Sequence, residues 1–146
     1  MMKKSAAPAL LFCLMLSSCN RQAASIDGAW NLVSGRFVVN DTLTYEFPGN
    51  VQESNIKIWS GSHFVFAGWF KTHSSTLPIY GYGTFKLREN RYEEFVQYND
   101  NPEFMNQTIK MFLEIKNDTL IQAWPLDNQG QLDSSKLSFE KFIRLK

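Results

Sequence analysis

The chain has 146 residues, enough for one domain. With 44% hydrophobic, 14% aromatic and 20% charged residues it carries the makings of a packed core, which excludes a disordered chain. A net charge of +1 supplies no field that would steer nucleic acid, so a nucleic-acid partner is not expected.

The first residues read as an address. Met1-Met2-Lys3-Lys4 is a basic start, and Ala6 to Leu16 is an apolar run too short to span a bilayer as a helix. It ends in Leu16-Ser17-Ser18-Cys19, which resembles the lipobox of bacterial lipoproteins: an aliphatic residue, two small residues, then Cys. The resemblance implies a signal peptide over residues 1–18 and a lipidated Cys19, anchored far more firmly than by one acyl chain. Residues 19–26 then form a tether and residues 27–146 one domain. The tether lacks an acidic run, so the expected place is the outer membrane, facing the periplasm. The other cysteine, Cys13, lies in the leader, which leaves the domain without a disulfide, a thiol nucleophile or a Cys–zinc site.

From Ala29 onward no long segment has helical spacing. Short alternating runs recur instead: Ala29–Val39, Leu43–Phe47, Val51–Trp59, His63–Lys71, Ile79–Leu87, Tyr92–Tyr98, Thr108–Lys116, Leu120–Trp124 and Leu137–Leu145. With no crossover helices, eight to ten such strands predict an all-β, single antiparallel up-and-down barrel with little helix. Turn chemistry separates them at Ser60-Gly61-Ser62, at Arg88-Glu89-Asn90-Arg91, where Asn90 is expected to take a positive φ, and at Asn117-Asp118. Asn-Asp-Thr-Leu occurs at residues 40–43 and 117–120. Asp-Thr-Leu also resembles an O-glycosylation acceptor of the Bacteroidota, at Thr42 and Thr119, and the plain turn is the preferred reading. Longer polar connections at Lys71–Pro78, Asn99–Asn106 and Asp127–Ser135 suit gates at one barrel end.

Parity assigns faces. Ile109, Met111, Leu113 and Ile115 face the core, opposite Lys110, Glu114 and Lys116. Ile79, Gly81, Gly83, Phe85 and Leu87 face inward, and the two glycines predict a bend or a close neighbour. Tyr92, Glu94, Val96 and Tyr98 share the inner face of their strand. His63–Lys71 is apolar on both faces, and its inner face is not fixed by pattern.

Gly28-Ala29-Trp30 resembles the Gly-x-Trp opening of the lipocalin and fatty-acid-binding barrels. The resemblance implies that Trp30 plugs the closed end, that Gly28 lets the chain enter there, and that a basic residue of the last strand, here Arg144, packs over the indole. Further blocks follow in order: Lys57-Ile58-Trp59-Ser60-x-x-His63-Phe64, Gly81-Tyr82-Gly83-Thr84-Phe85, Tyr92-Glu93-Glu94 and Glu140-x-Phe142-x-Arg144-x-Lys146. Together they resemble a lipocalin-like domain family of unknown function common in the Bacteroidota. The sequence departs from that pattern at Tyr82 and Phe85. The resemblance implies the calycin-like barrel and no established activity.

The chemistry-bearing candidates are few. Glu94 is an inward carboxylate, costly unless paired. It either binds a polar ligand head or moves a proton, or is held structurally by a tyrosine, Lys57 or His63. Trp69, Tyr82, Tyr92 and Tyr98, with His63 and Glu94, are the expected ligand-binding residues of a cavity. His63 and His73 are the two histidines, without metal-ligand spacing, so no metal and no cofactor is expected. No phosphate loop or nucleophile elbow is present, and Glu93 and Glu94 point to opposite faces. The leading expectation is therefore a lipid-anchored lipocalin-like protein that binds a small hydrophobic or amphipathic molecule. The alternatives are a barrel enzyme of isomerase or dehydratase type using Glu94 and His63, and a protein-interaction lipoprotein with a filled barrel and an apolar patch around Phe64 and Phe66.

Overall fold

The structure, a computed structural model, describes residues 25–146. The expected leader, Cys19 and the start of the tether lie outside the described residues. Period-two patterning yields nine strands among those residues. They are β1 (Gly28–Val39), β2 (Thr42–Phe47), β3 (Gln52–Ser60), β4 (His63–Lys71), β5 (Thr76–Arg88), β6 (Arg91–Asn99), β7 (Thr108–Lys116), β8 (Thr119–Trp124) and β9 (Lys136–Arg144). The order is β2-β1-β3-β4-β5-β6-β7-β8-β9, every pairing described is antiparallel, and β1 also pairs β9. Eight strands, β1 and β3 to β9, thus close a ring, and β2 adds to β1 alone. This is the expected up-and-down barrel, compatible with a lipocalin-like fold. The one helical element among the described residues is a 3₁₀ turn, Pro102–Phe104.

The two ends of the ring differ because the connections differ. Two-residue turns join β3 to β4, β5 to β6 and β7 to β8 at one end. Residues 48–51, 72–75, 100–107 and 125–135 make longer connections at the other. At the tight end Gly61, Glu89 and Asn117 take the left-handed conformation, with φ of 61°, 57° and 57°. In the Arg88–Arg91 turn the residue is Glu89 rather than the expected Asn90. The carbonyl of Asn90 accepts a 2.9 Å hydrogen bond from Leu113 N–H of β7, which commits Asn90 to the ladder.

β1 is long enough to serve two neighbours. Gly28–Asn31 pairs with β3, and Gly35–Val39 pairs with β2, while β9 runs along nearly its full length. Beyond Asn31 the chain of β1 leaves β3, and β2 occupies the space without joining β3. Side chains cross that seam instead. The Tyr45 hydroxyl of β2 donates to Glu53 of β3, and its ring stacks on Phe70 of β4 at 5.7 Å.

Parity holds along β3 and β7 to β9, where Asn55, Lys57, Trp59, Met111, Leu113, Leu120, Gln122, Ser138 and Phe142 are buried. On β4 the structure settles the open choice: Phe64 and Phe66 turn inward, while Val65 and Trp69 are exposed. The reason lies in the partner strand. Phe64 pairs with Gly83 and Phe66 with Gly81. A Cβ at Gly81 would stand 2.6 Å from the Phe66 ring, and one at Gly83 would stand 3.0 Å from the Phe64 ring and 2.0 Å from the Phe95 carbonyl. The two glycines are the space in which these phenylalanines lie.

Candidate functional site

The closed end is built by the expected pair. Trp30 is fully buried, and the Arg144 guanidinium lies 4.1 Å from its ring centroid. The indole N–H donates to the Ile26 carbonyl at 2.8 Å. Arg144 donates to the carbonyls of Asp27 and Ser25, each at 2.6 Å, and faces Asp118 at 3.7 Å. Gly28 takes φ 118°, and a Cβ there would stand 3.1 Å from Arg144, so glycine allows both the backbone turn and the guanidinium's approach. Above this plug Trp30, Trp59, Tyr92 and Phe142 meet edge to face, with centroids 6.3–6.5 Å apart. This is the favoured geometry for aromatic packing.

A polar chain rises from that aromatic floor. Trp59 N–H donates to the Tyr92 hydroxyl at 2.7 Å, and Tyr92 O–H donates to Glu94 Oε1 at 2.7 Å. Lys57 Nζ donates to the same oxygen and is ion-paired with it. Both charged side chains are buried. Burial, followed by the nearby Glu94 charge, pushes the Tyr92 hydroxyl far above the usual range for a phenol, so it acts as a donor and does not ionise. The Lys57 ammonium is enclosed by the rings of Phe64, Trp59, Tyr92 and Phe66 at 5.0–6.0 Å. A buried pair is better retained where further interactions support it, and here Tyr92 adds a second hydrogen bond to the carboxylate while the rings surround the ammonium.

Toward the other end the barrel is not filled. A cavity of about 340 Å³ opens inside the ring, lined by residues from each of β3 to β9, with Asn99–Asn101 and Phe104 at its rim. This falls at the low end of the range for ligand pockets, about 300–1,000 Å³. Its apolar wall includes Phe66, Ile109, Met111, Trp124 and Phe142, and its polar wall includes Glu53, Asn55, Gln122 and Glu140. Gln122 Nε2 donates to Glu140 at 3.2 Å. Burial pushes the Glu53 carboxyl up to about 7, helped by the Glu140 charge and opposed by the Asn55 amide. Burial also raises Glu140, with Lys57 pulling down, Glu94 pushing up and the Trp124 indole pulling down.

The expected site residues fall into two groups. Glu94 faces the cavity, and Tyr92 supports it from the floor. Trp69, Tyr82 and Tyr98 stand outside and are 40%, 50% and 46% exposed, so they do not line the interior. For Tyr98 the cause is a bulge: Tyr82 pairs with Tyr98 and Gly83 with Val96, so Gln97 is extra and the parity of β6 reverses beyond it. Tyr82 lies opposite the inward glycines, and Trp69 opposite the inward phenylalanines of β4. His63 is exposed at the start of β4, with Ser62 Oγ 3.4 Å from its ring nitrogen. It shares no pocket with Glu94, so the two do not form an acid–base pair. The expected apolar patch around Phe64 and Phe66 is likewise not on the surface, since both rings point inside. The outer stripe is instead Ile58, Val65, Tyr82 and Tyr98, which pair in turn across β3 to β6. Among the described residues no group of three His, Cys, Asp or Glu could hold a metal ion.

Glu53, Asn55, Gln122 and Glu140 were not singled out by sequence reading. Their signal was present: each occupies a position of inward parity, shared with Lys57 and Trp59 on β3, Leu120 and Trp124 on β8, and Ser138 and Phe142 on β9. A search of protein families and a search of curated proteins both return no match for this chain.

Proposed function

We propose that this chain is a lipid-anchored, lipocalin-like carrier of the cell envelope that holds a small amphipathic molecule inside the barrel. The observation that carries the reading is a cavity of about 340 Å³ inside the ring, above an aromatic floor of Trp30, Trp59, Tyr92 and Phe142. A barrel of eight strands can fill its own interior, yet polar side chains line empty space here. The lipobox-like Leu16-Ser17-Ser18-Cys19 supports an anchor at Cys19 and a place on the outer membrane facing the periplasm. Native mass spectrometry of the full-length chain from its own host tests the carrier role. A co-purifying small molecule is expected, and its loss on Lys57→Met/Glu94→Leu replacement ties it to the barrel. Consistently ligand-free protein that also takes up no xenon overturns the reading. Labelling with an alkyne fatty acid tests the anchor, and incorporation that survives Cys19→Ala removes it.

A second reading, a protein-interaction lipoprotein, draws on the outer stripe from Ile58 to Tyr98. Contiguous exposed apolar surface of this kind marks contact sites. Val65→Lys with Tyr82→Lys is expected to leave the cavity intact. Loss of a co-isolated envelope protein in that variant alone favours this reading.

A further inference from the structure

The cavity's polar groups have a direction. The lining residues carry four carboxyl groups, those of Glu53, Glu94, Asp100 and Glu140, against one ammonium, that of Lys57. Lys57 and Glu94 are committed to each other. Glu140 feels the charge of the Lys57 that Glu94 already engages, no cation opposes the rise at Glu53, and the Glu140 charge adds to that rise. Beside them stand two buried amide oxygens, Asn55 Oδ1 and Gln122 Oε1, that accept no hydrogen bond among the described residues. Asn55 is 9% exposed and Gln122 2%. An unsatisfied buried acceptor costs about 1–3 kcal/mol, and two such acceptors in one cavity lining suit a ligand that donates hydrogen bonds.

What enters must therefore donate hydrogen bonds and bring positive charge. A carboxylate ligand meets the opposite: two further carboxylates and an ammonium already taken. A bare metal ion finds no cluster of ligands among the described residues. The apolar part of the lining, Phe66, Ile109, Met111, Trp124 and Phe142, suits an apolar body, and aromatic faces attract a cation as well.

We propose that the cavity receives a small organic cation, an amine or guanidine on a short apolar body, whose N–H groups are taken by Asn55, Gln122, Glu53 and Glu140. This rests on the carrier reading and specifies its ligand class. The raised Glu53 and Glu140 carboxyls fit a site that ionises fully once a cation is present.

The test uses three probes of matched chain, n-hexylamine, n-hexanol and hexanoate, titrated into the full-length chain by calorimetry. Hexylamine is expected to bind about tenfold or more tightly than hexanol, with hexanoate weakest, a difference that one charge-assisted contact can supply. Glu53→Gln and Glu140→Gln are expected to erase the preference for the amine while hexanol binding persists. Equal or tighter binding of hexanol or hexanoate overturns the cation assignment and leaves the carrier reading standing. Failure of all three probes, with no thermal shift, overturns both. Where a variant does not fold, the native chain decides: the amine preference is expected to shrink between roughly pH 8 and pH 5 as Glu53 takes up a proton. The titratable groups facing Glu53 are Tyr45 of β2 and Glu140 of β9, while β4 presents Phe70. A preference unchanged across that range overturns the proposal.

Discussion

The two halves of this barrel solve the same problem in opposite ways. From the closed end up to the cavity floor every polar group named has a partner: Trp30 with Ile26, Trp59 with Tyr92, Glu94 with Lys57 and Tyr92, Arg144 with the chain's own carbonyls. At the open end Asn55 and Gln122 keep bare oxygens, and the Glu53 and Glu140 carboxyls share the wall with no ion pair of their own among the described residues. The lower half spends its sequence on stability. The upper half leaves interactions unmade, and a protein tolerates that at sites meant for something else.

The sharpest break of this contrast is Trp30→Ala. It removes the plug, the indole hydrogen bond and the platform under Arg144, and is expected to cost about 3–5 kcal/mol in chemical denaturation. Lys57→Met comes next. It leaves Glu94 charged, buried and held by Tyr92 alone, for an expected loss of about 3 kcal/mol. Adding Glu94→Leu is expected to return most of that loss, which a double-mutant cycle reads directly. Gly83→Ala, which drives a methyl against the Phe95 carbonyl and the Phe64 ring, is expected to cost about 1–3 kcal/mol.

The smallest effect is at the open end and depends on pH. Glu53 has its folded pKa raised, from 4.5 to about 7. The folded state therefore holds a proton that the unfolded state releases. That contribution to stability is fully present below pH 4.5 and is lost as pH rises through about 7. Glu140 acts in the same direction. The melting temperature should fall from acidic to mildly basic pH, and Glu53→Gln should flatten the profile. Asp133 on the surface is held below its usual value by Ser135, so its contribution is lost only in more acidic solution, outside this window. A profile that rises with pH through neutrality would break the assignment of Glu53 as a desolvated acid.

The fold was legible because alternation and turn chemistry agreed along the whole domain. Gly28, Trp30 and Arg144 were legible through the resemblance of Gly28-Ala29-Trp30 to the Gly-x-Trp opening of the lipocalin barrels, which implies a plug and a basic cap on the last strand. Glu94 could be placed by parity, and its partners Lys57 and Tyr92 were among the candidates. Legibility failed where parity is broken or ambiguous. One extra residue, Gln97, turned Tyr98 outward, and nothing in the local pattern announces it. β4 carries apolar side chains on both faces, so the placement of Trp69 was decided by Gly81 and Gly83 on the neighbouring strand. The acceptors Asn55 and Gln122 were passed over because amides carry no obvious chemistry. Their importance emerges only when both oxygens are found buried without a partner.

The knot that Arg144 ties around Ser25 and Asp27 also gives the molecule an orientation. The polypeptide enters the domain at the plugged pole, opposite the mouth. A lipid anchor a few residues upstream would reach no farther than about 20 Å from that pole. With the proposed anchor at Cys19, the plugged pole is the end tied nearer the bilayer and the mouth is the end farther along the chain from that tie.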